Sequence, residues 1–327
     1  MNHGQFYKAD QLVAAVHRDA GGIFAGFRAA HALGRFYAGT FTPTPAAKTL
    51  SRAAHFQEAV PVTVRFSGAS GDPNLKPSNV VAMATKFLLP DGTVTDMIGI
   101  TLPCFFARTP DEFLAFTEAH TADPATGQPN LAKLKTYAAA HPNGGRFLLL
   151  MSKQQAPLSF AQTSYRPLHA FRFVTAAGVG RWARYHWEPQ AEVATQPLEE
   201  LAKQPTDYLY QELERRLSLG AVVFRLELEM AQEGDPVDDP SAIWPEGRER
   251  VIVGRLEVVR PITQAELGDL PMMHDPTVVT DGIEVSPEDQ IIAARRGAYL
   301  VSLAERTGGW QRLAHVDAAP AGMSTKR

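Results

Sequence analysis

Residues 221–230 (AVVFRLELEM) and 251–259 (VIVGRLEVV) alternate apolar and charged side chains. Successive side chains of a strand point to opposite faces, so these runs predict strands with one face on a core and one toward water. Antiparallel sheets accept that division, whereas buried parallel strands read as continuous apolar runs. Residues 60–67, 80–89, 93–100, 169–174 and 184–187 are further strand candidates, rich in β-branched and aromatic residues. Helical periodicity marks 10–20, 46–57, 110–120, 129–151, 196–218 and 287–306. Thr109, Pro110 and Asp111 supply an N-cap, a proline at the first helical position and an acid for the third of these. Strands joined by short turns, with helices between and at the ends, predict an α+β fold around a largely antiparallel sheet or barrel. One domain is expected over residues 1–316, with 317–327 a disordered tail.

Composition narrows the function classes. A formal charge of -3 provides no field for nucleic acid or an acidic membrane surface. No apolar run is long enough to span a bilayer, and the N-terminal apolar stretch is broken by His17, Arg18 and Asp19, unlike a secretory signal. A cytoplasmic location is expected. The single cysteine, Cys104, excludes an internal disulfide and any multi-cysteine metal centre.

The helix over 287–306 has an unusual face. Arg295, Tyr299, Ser302 and Arg306 stand at i, i+4, i+7 and i+11, on one side of the helix. An arginine one turn before a tyrosine can stabilise its phenolate, and a phenolate is a known axial ligand of haem iron. Arg306 would lie about 10 Å further along the axis, within reach of a haem propionate. The same spacing also suits a plain amphipathic helix with solvated arginines.

Other segments bear on that choice. Residues 27–41 (FRAAHALGRFYAGTF) resemble the distal-histidine segment of haem catalases, with Arg28 three residues before His31. Residues 64–67 (VRFS) resemble the strand that in this family supplies a propionate arginine and a serine bonded to that histidine. Residues 97–106, 185–189, 244–255 and the Arg295, Tyr299, Arg306 set follow in the family's order. The resemblance spans roughly residues 20–310 and is to the minimal, catalase-related haem peroxidases, since the chain is short for a full catalase.

The resemblance implies a catalase-like antiparallel β-barrel with flanking helices, and haem b buried between the barrel and the proximal helix. It implies Tyr299 as the iron's axial ligand, Arg295 as the phenolate's partner, and Arg28, Arg65 and Arg306 as propionate holders. His31 would move a proton between the two oxygens of a hydroperoxide, with Ser67 fixing its tautomer. Phe113 is a candidate haem contact. The chain departs from the family at the distal asparagine: where catalases read Gly-Asn-Asn-Thr-Pro, it reads Gly99-Ile100-Thr101-Leu102-Pro103. Thr101 is the candidate replacement hydroxyl. The proximal register carries one extra residue between Ser286 and Arg295.

The expectation is a haem peroxidase that reduces organic hydroperoxides with electrons from an unidentified donor, acts weakly as a catalase, and forms a homodimer. Alternatives are a hydroperoxide isomerase or dehydratase of the allene oxide synthase type, and a non-catalytic haem-binding protein. His55, His169, His186 and His274 show no metal-ligand spacing and are expected to be structural.

Overall fold

The computed structural model describes residues 3–123, 125–268 and 272–308, with side chains from Lys8 onward; the expected tail over 317–327 lies outside them. Helix α1 (His3–Asp19) leads into strand β1 (Gly34–Pro43), two short helices α2 (Pro45–Leu50) and α3 (Ala54–Gln57), and the meander β2 (Val60–Gly68), β3 (Val81–Leu88) and β4 (Val94–Ile100). Helices α4 (Pro110–His120), α5 (Leu131–Ala140) and α6 (Pro142–Lys153) follow. Next come β5 (Ala156–Pro157), β6 (Arg166–Pro167), β7 (Phe171–Val174), β8 (Gly180–Pro189), β9 (Thr195–Gln196), α7 (Tyr208–Leu217), β10 (Val222–Met230) and β11 (Arg250–Pro261). The described part closes with α8 (Gln264–Leu267), β12 (Ile283–Val285) and α9 (Gln290–Thr307).

Ten strands form one antiparallel sheet, in the order β12-β7-β8-β10-β11-β1-β2-β3-β4-β6. It curls until its flanks meet: Tyr165, beside β6, bridges to Trp187 on β8, and the Tyr185 hydroxyl of β8 receives the Ile98 N–H of β4 at 3.0 Å. Inside lie Phe41, Phe66, Phe87, Tyr165, Trp187 and Phe224, all fully buried. The alternation of β10 does what its pattern predicts, with Phe224, Leu226 and Leu228 inside and Arg225 in solvent. On β11 the phase slips at a bulge opposite Leu226 and Glu227, so Val253 and Gly254 are both buried. A Cβ on Gly254 would lie 2.1 Å from the Phe41 ring, so this strand needs a glycine to let Phe41 into the core.

Three predicted helices are interrupted. The 46–57 run divides into α2 and α3, 129–151 is cut at His141 before Pro142, and 196–218 is a 3-10 turn followed by α7, with Pro205 between them. Among the described residues no helix is long and apolar enough to cross a membrane.

Candidate functional site

A cavity of about 420 Å³ lies between the sheet and α9, within the usual range for small-molecule sites. Its floor is built from two cross-strand rows: Ser67, Ala82 and Ile100 are paired across β2, β3 and β4, and so are Arg65, Ala84 and Ile98. All six line the cavity. The two alanines leave the middle of the floor free of long side chains. Facing it from α9 are Arg295, Tyr299, Ser302 and Arg306, the four residues predicted to share one helix face.

Asp289 caps α9, its Oδ1 accepting the N–H groups of Ile291 and Ile292 at 3.0 and 2.9 Å. Its Oδ2 lies 2.6 Å from Nδ1 of His169. A carboxylate only accepts, so Nδ1 carries the proton and Nε2 presents a lone pair. Nη1 of Arg295 donates to that lone pair at 2.9 Å. Arg295 then gives two further N–H groups to the Tyr299 oxygen, from Nε at 3.0 Å and from Nη2. Burial lowers the His169 pKa against the opposing pull of Asp289, in keeping with a neutral ring that donates on one side and accepts on the other. Burial would also lower Arg295, but the Tyr299 oxygen together with Tyr185 and Asp275 outweighs it and its pKa is raised. Asp289, His169, Arg295 and Tyr299 thus form one connected chain that places positive charge on the phenol oxygen. His169 was expected to be merely structural. The structure shows what that role supports, the Arg295 guanidinium, and since the partners are distant in sequence, no local motif signals it.

His31 occupies the sheet side of the cavity. Its φ of 54° lies in the left-handed region, rare for a residue with a Cβ. Two backbone bonds hold it there, His31 N–H to Ala69 and Ala32 N–H to Ser70. The ring's Nδ1 is 2.8 Å from the Gly68 carbonyl and 3.4 Å from the Ser67 hydroxyl. A carbonyl only accepts, so Nδ1 donates and Nε2 carries the lone pair. The shorter contact makes Gly68, more than Ser67, the group that fixes the tautomer. Burial, with Arg65 nearby, lowers the His31 pKa to about 4, so the ring is neutral near pH 7.

Arg28, Arg65 and Arg306 also line the cavity. Their partners among the described residues are backbone carbonyls: Met272 for Arg28 and Arg306, His31 and Ala32 for Arg65. Among the described residues, Nε of Arg65 and of Arg306 is buried without a partner. Burial lowers both pKa values to about 10, and burial with repulsion from Arg65 and Arg306 lowers Arg28 well below its usual range. Gly34 makes room for this group, because a Cβ there would lie 2.3 Å from the Arg65 guanidinium carbon. Buried cations with unused donors and mutual repulsion call for anionic oxygens from outside the chain. The two carboxylates of a haem fit that demand, and a phenolate fits its iron.

Phe113 lines the cavity with Phe105, Phe106, Phe116 and Phe147, an aromatic wall with successive ring centroids 4.0–6.1 Å apart. Thr101 does not line it. Strand alternation turns Ile100 inward, and the Thr101 hydroxyl accepts the Val81 N–H at 3.3 Å and donates to Asn79 O at 3.4 Å. The expected replacement hydroxyl is therefore a backbone tie, and hydrocarbon occupies its place in the wall. His274, also expected to be structural, lines the cavity and stacks on Phe36.

The family model described as Catalase matches residues 26–326. The chain is 37% identical over 303 residues to a catalase-related peroxidase of Mycolicibacterium paratuberculosis, covering 91% of this chain and 95% of that one. It is 31% identical to a catalase-related peroxidase of Synechococcus elongatus, covering 92% and 89%. Among solved structures, a fungal catalase superposes with a TM-score of 0.76 at 19% identity, covering 86% of this chain. The present chain spans 60% of that catalase's length, and the likeness supports the fold alone. Catalase-family proteins bind haem, in accord with the cavity's donor set, and act as oxidoreductases on peroxides. By sequence and by the build of its cavity, this chain belongs to the catalase family.

Proposed function

We propose that the chain is a haem-dependent peroxidase that reduces organic hydroperoxides, uses hydrogen peroxide less well, and draws electrons from an external donor. The observation that carries this reading is one cavity with His31 Nε2 on one wall and, on the other, the Tyr299 oxygen under two Arg295 N–H groups. Tyr299 would hold the iron of haem b, and Arg28, Arg65 and Arg306 its propionates. Bound haem supplies the redox chemistry for breaking an O–O bond. The protein's part is proton handling and shape. His31 Nε2, neutral and free to accept, takes the proton from the inner peroxide oxygen and returns it to the outer one, so that an alcohol or water leaves. The Gly68 carbonyl keeps that nitrogen the acceptor. Ile98 and Ile100 offer no hydrogen bond to the outer oxygen, which favours an alkyl or aryl substituent there over a second O–H.

The test is the absorption spectrum of the purified protein, as isolated and after adding hemin, for wild type and Tyr299→Phe, followed by turnover of cumene hydroperoxide. A Soret band altered or lost in the variant, with an alcohol as product, supports the proposal. A rearranged product would instead mark an isomerase, and a haem spectrum without turnover a binding protein. If neither protein binds haem, the proposal fails.

A further inference from the structure

The cavity has an outer arm, lined by α1 and α4, that takes no part in the proton handling above. Helices α1 and α4 run side by side, tied by Lys8 to Asp111 at 3.4 Å and by Asp19 to His120 at 3.0 Å. Leu12 and Val16 of α1 and Phe113 and Phe116 of α4 line the same cavity as His31. The lining from these two helices is hydrocarbon but for Thr117, whose hydroxyl donates to the Phe113 carbonyl at 2.9 Å, and Asp19, the one carboxylate among the described residues that line the cavity. Asp19 is at the rim, with about a third of its side chain exposed, while the cavity's arginines lie at the buried end. The neighbouring residue, Ala20, packs against Gly71 of the loop whose Ala69 and Ser70 carbonyls hold His31 and Ala32. Asp19 is thus one residue from a contact with the loop that holds His31.

We propose that this arm selects uncharged hydroperoxides with an apolar body, and that Asp19 is the specificity residue that turns away those carrying an anionic tail. The inference rests on the peroxidase reading and adds the charge of the substrate to it. A chain that enters peroxide end first leaves its far end at the rim. There a carboxylate meets a like charge that solvent only partly screens, whereas an ester or hydrocarbon end meets no such penalty.

The experiment compares linoleic acid hydroperoxide with its methyl ester, below their aggregation limits at pH 8 and low salt, in the haem-loaded protein. The expected result is a kcat/KM ratio favouring the ester, which narrows roughly fivefold in Asp19→Asn and returns in Asp19→Glu, the order expected of one screened like charge. Raising salt should narrow the wild-type ratio and leave the Asn variant's unmoved. A wild type that prefers the acid, or a ratio that Asp19→Asn and salt leave untouched while the Soret band and cumene hydroperoxide turnover are intact, overturns this inference alone. Loss of the Soret band or of all hydroperoxide turnover in wild type overturns the peroxidase reading with it.

Discussion

Asp289 and His169 are 120 residues apart in sequence, yet the carboxylate of one and Nδ1 of the other meet at 2.6 Å with both side chains 2% exposed. Asp289 serves two purposes through its two oxygens, one capping α9 and one orienting the ring that anchors Arg295. Asp289→Ala should lose both and cost about 2–4 kcal/mol in urea unfolding, the sum of a cap and a charged buried hydrogen bond. Asp289→Asn keeps an oxygen for the cap and should cost about half as much, while still lowering kcat through a misaligned Arg295. Equal losses in the two variants would count against the division of labour.

The acid limb of kcat/KM should report His31. The working form is the neutral ring, and burial with Arg65 nearby lowers its pKa to about 4. Activity should therefore hold as pH falls from 7 to about 5 and halve near 4. A limb near 6.5 in a pH series would show that the ring is solvated in the loaded protein. His31→Gln should keep the Soret band and lose on the order of a hundredfold or more in turnover.

His55 is fully buried among Phe41, Phe56 and Phe87, with no partner for either ring nitrogen among the described residues, and burial lowers its pKa to about 3. Its folded value is depressed below the unfolded one near 6.5, and for a histidine the depressed side favours the neutral form. Its contribution to stability is thus complete above 6.5 and falls as pH drops from there toward 3, because only the unfolded chain takes up the proton. Between pH 7 and 5 this amounts to about 2 kcal/mol. His55→Phe should remove that much of the acid sensitivity, read as the difference in unfolding free energy at the two pH values.

Gly34→Ala should act at a distance from the iron. The new methyl would drive the Arg65 guanidinium off the His31 and Ala32 carbonyls it holds at 2.8 and 3.2 Å. Haem release to excess apomyoglobin is expected to quicken by about tenfold, as for one charged hydrogen bond lost. Unchanged release would mean that Arg65 holds no propionate.

Ile100→Asn tests the wall beside the peroxide. An amide on that inward position should raise hydrogen peroxide consumption relative to cumene hydroperoxide by about tenfold, by pairing an O–H that Ile100 leaves unsatisfied. An unmoved ratio would place the preference elsewhere in the cavity.

Much of this architecture is readable before folding. Strand β10 and the face of α9 follow from periods of 2 and 3.6 alone. Strand β1 does not. Its sequence, GRFYAGTFTP, carries glycine, threonine and proline that signal turns, yet it lies mid-sheet between β11 and β2, where long-range pairing overrides local preference. Thr101 illustrates a neglected signal. Ile98 and Ile100 share a face by parity, and that parity already turns the next residue away from the cavity. For His169 nothing local could have served, since its partners Asp289 and Arg295 lie beyond six intervening strands, β7 to β12.

The Ala29 N–H, next to Arg28 and two residues before His31, donates to the Ser302 hydroxyl of α9 at 3.0 Å. That bond is the calliper of the cavity. One hydroxyl spans from the helix bearing Tyr299 to the segment bearing His31, beside the packing of Ala29 with Val301 and Ala298, so the gap between the two is gauged by this local contact as well as by the barrel.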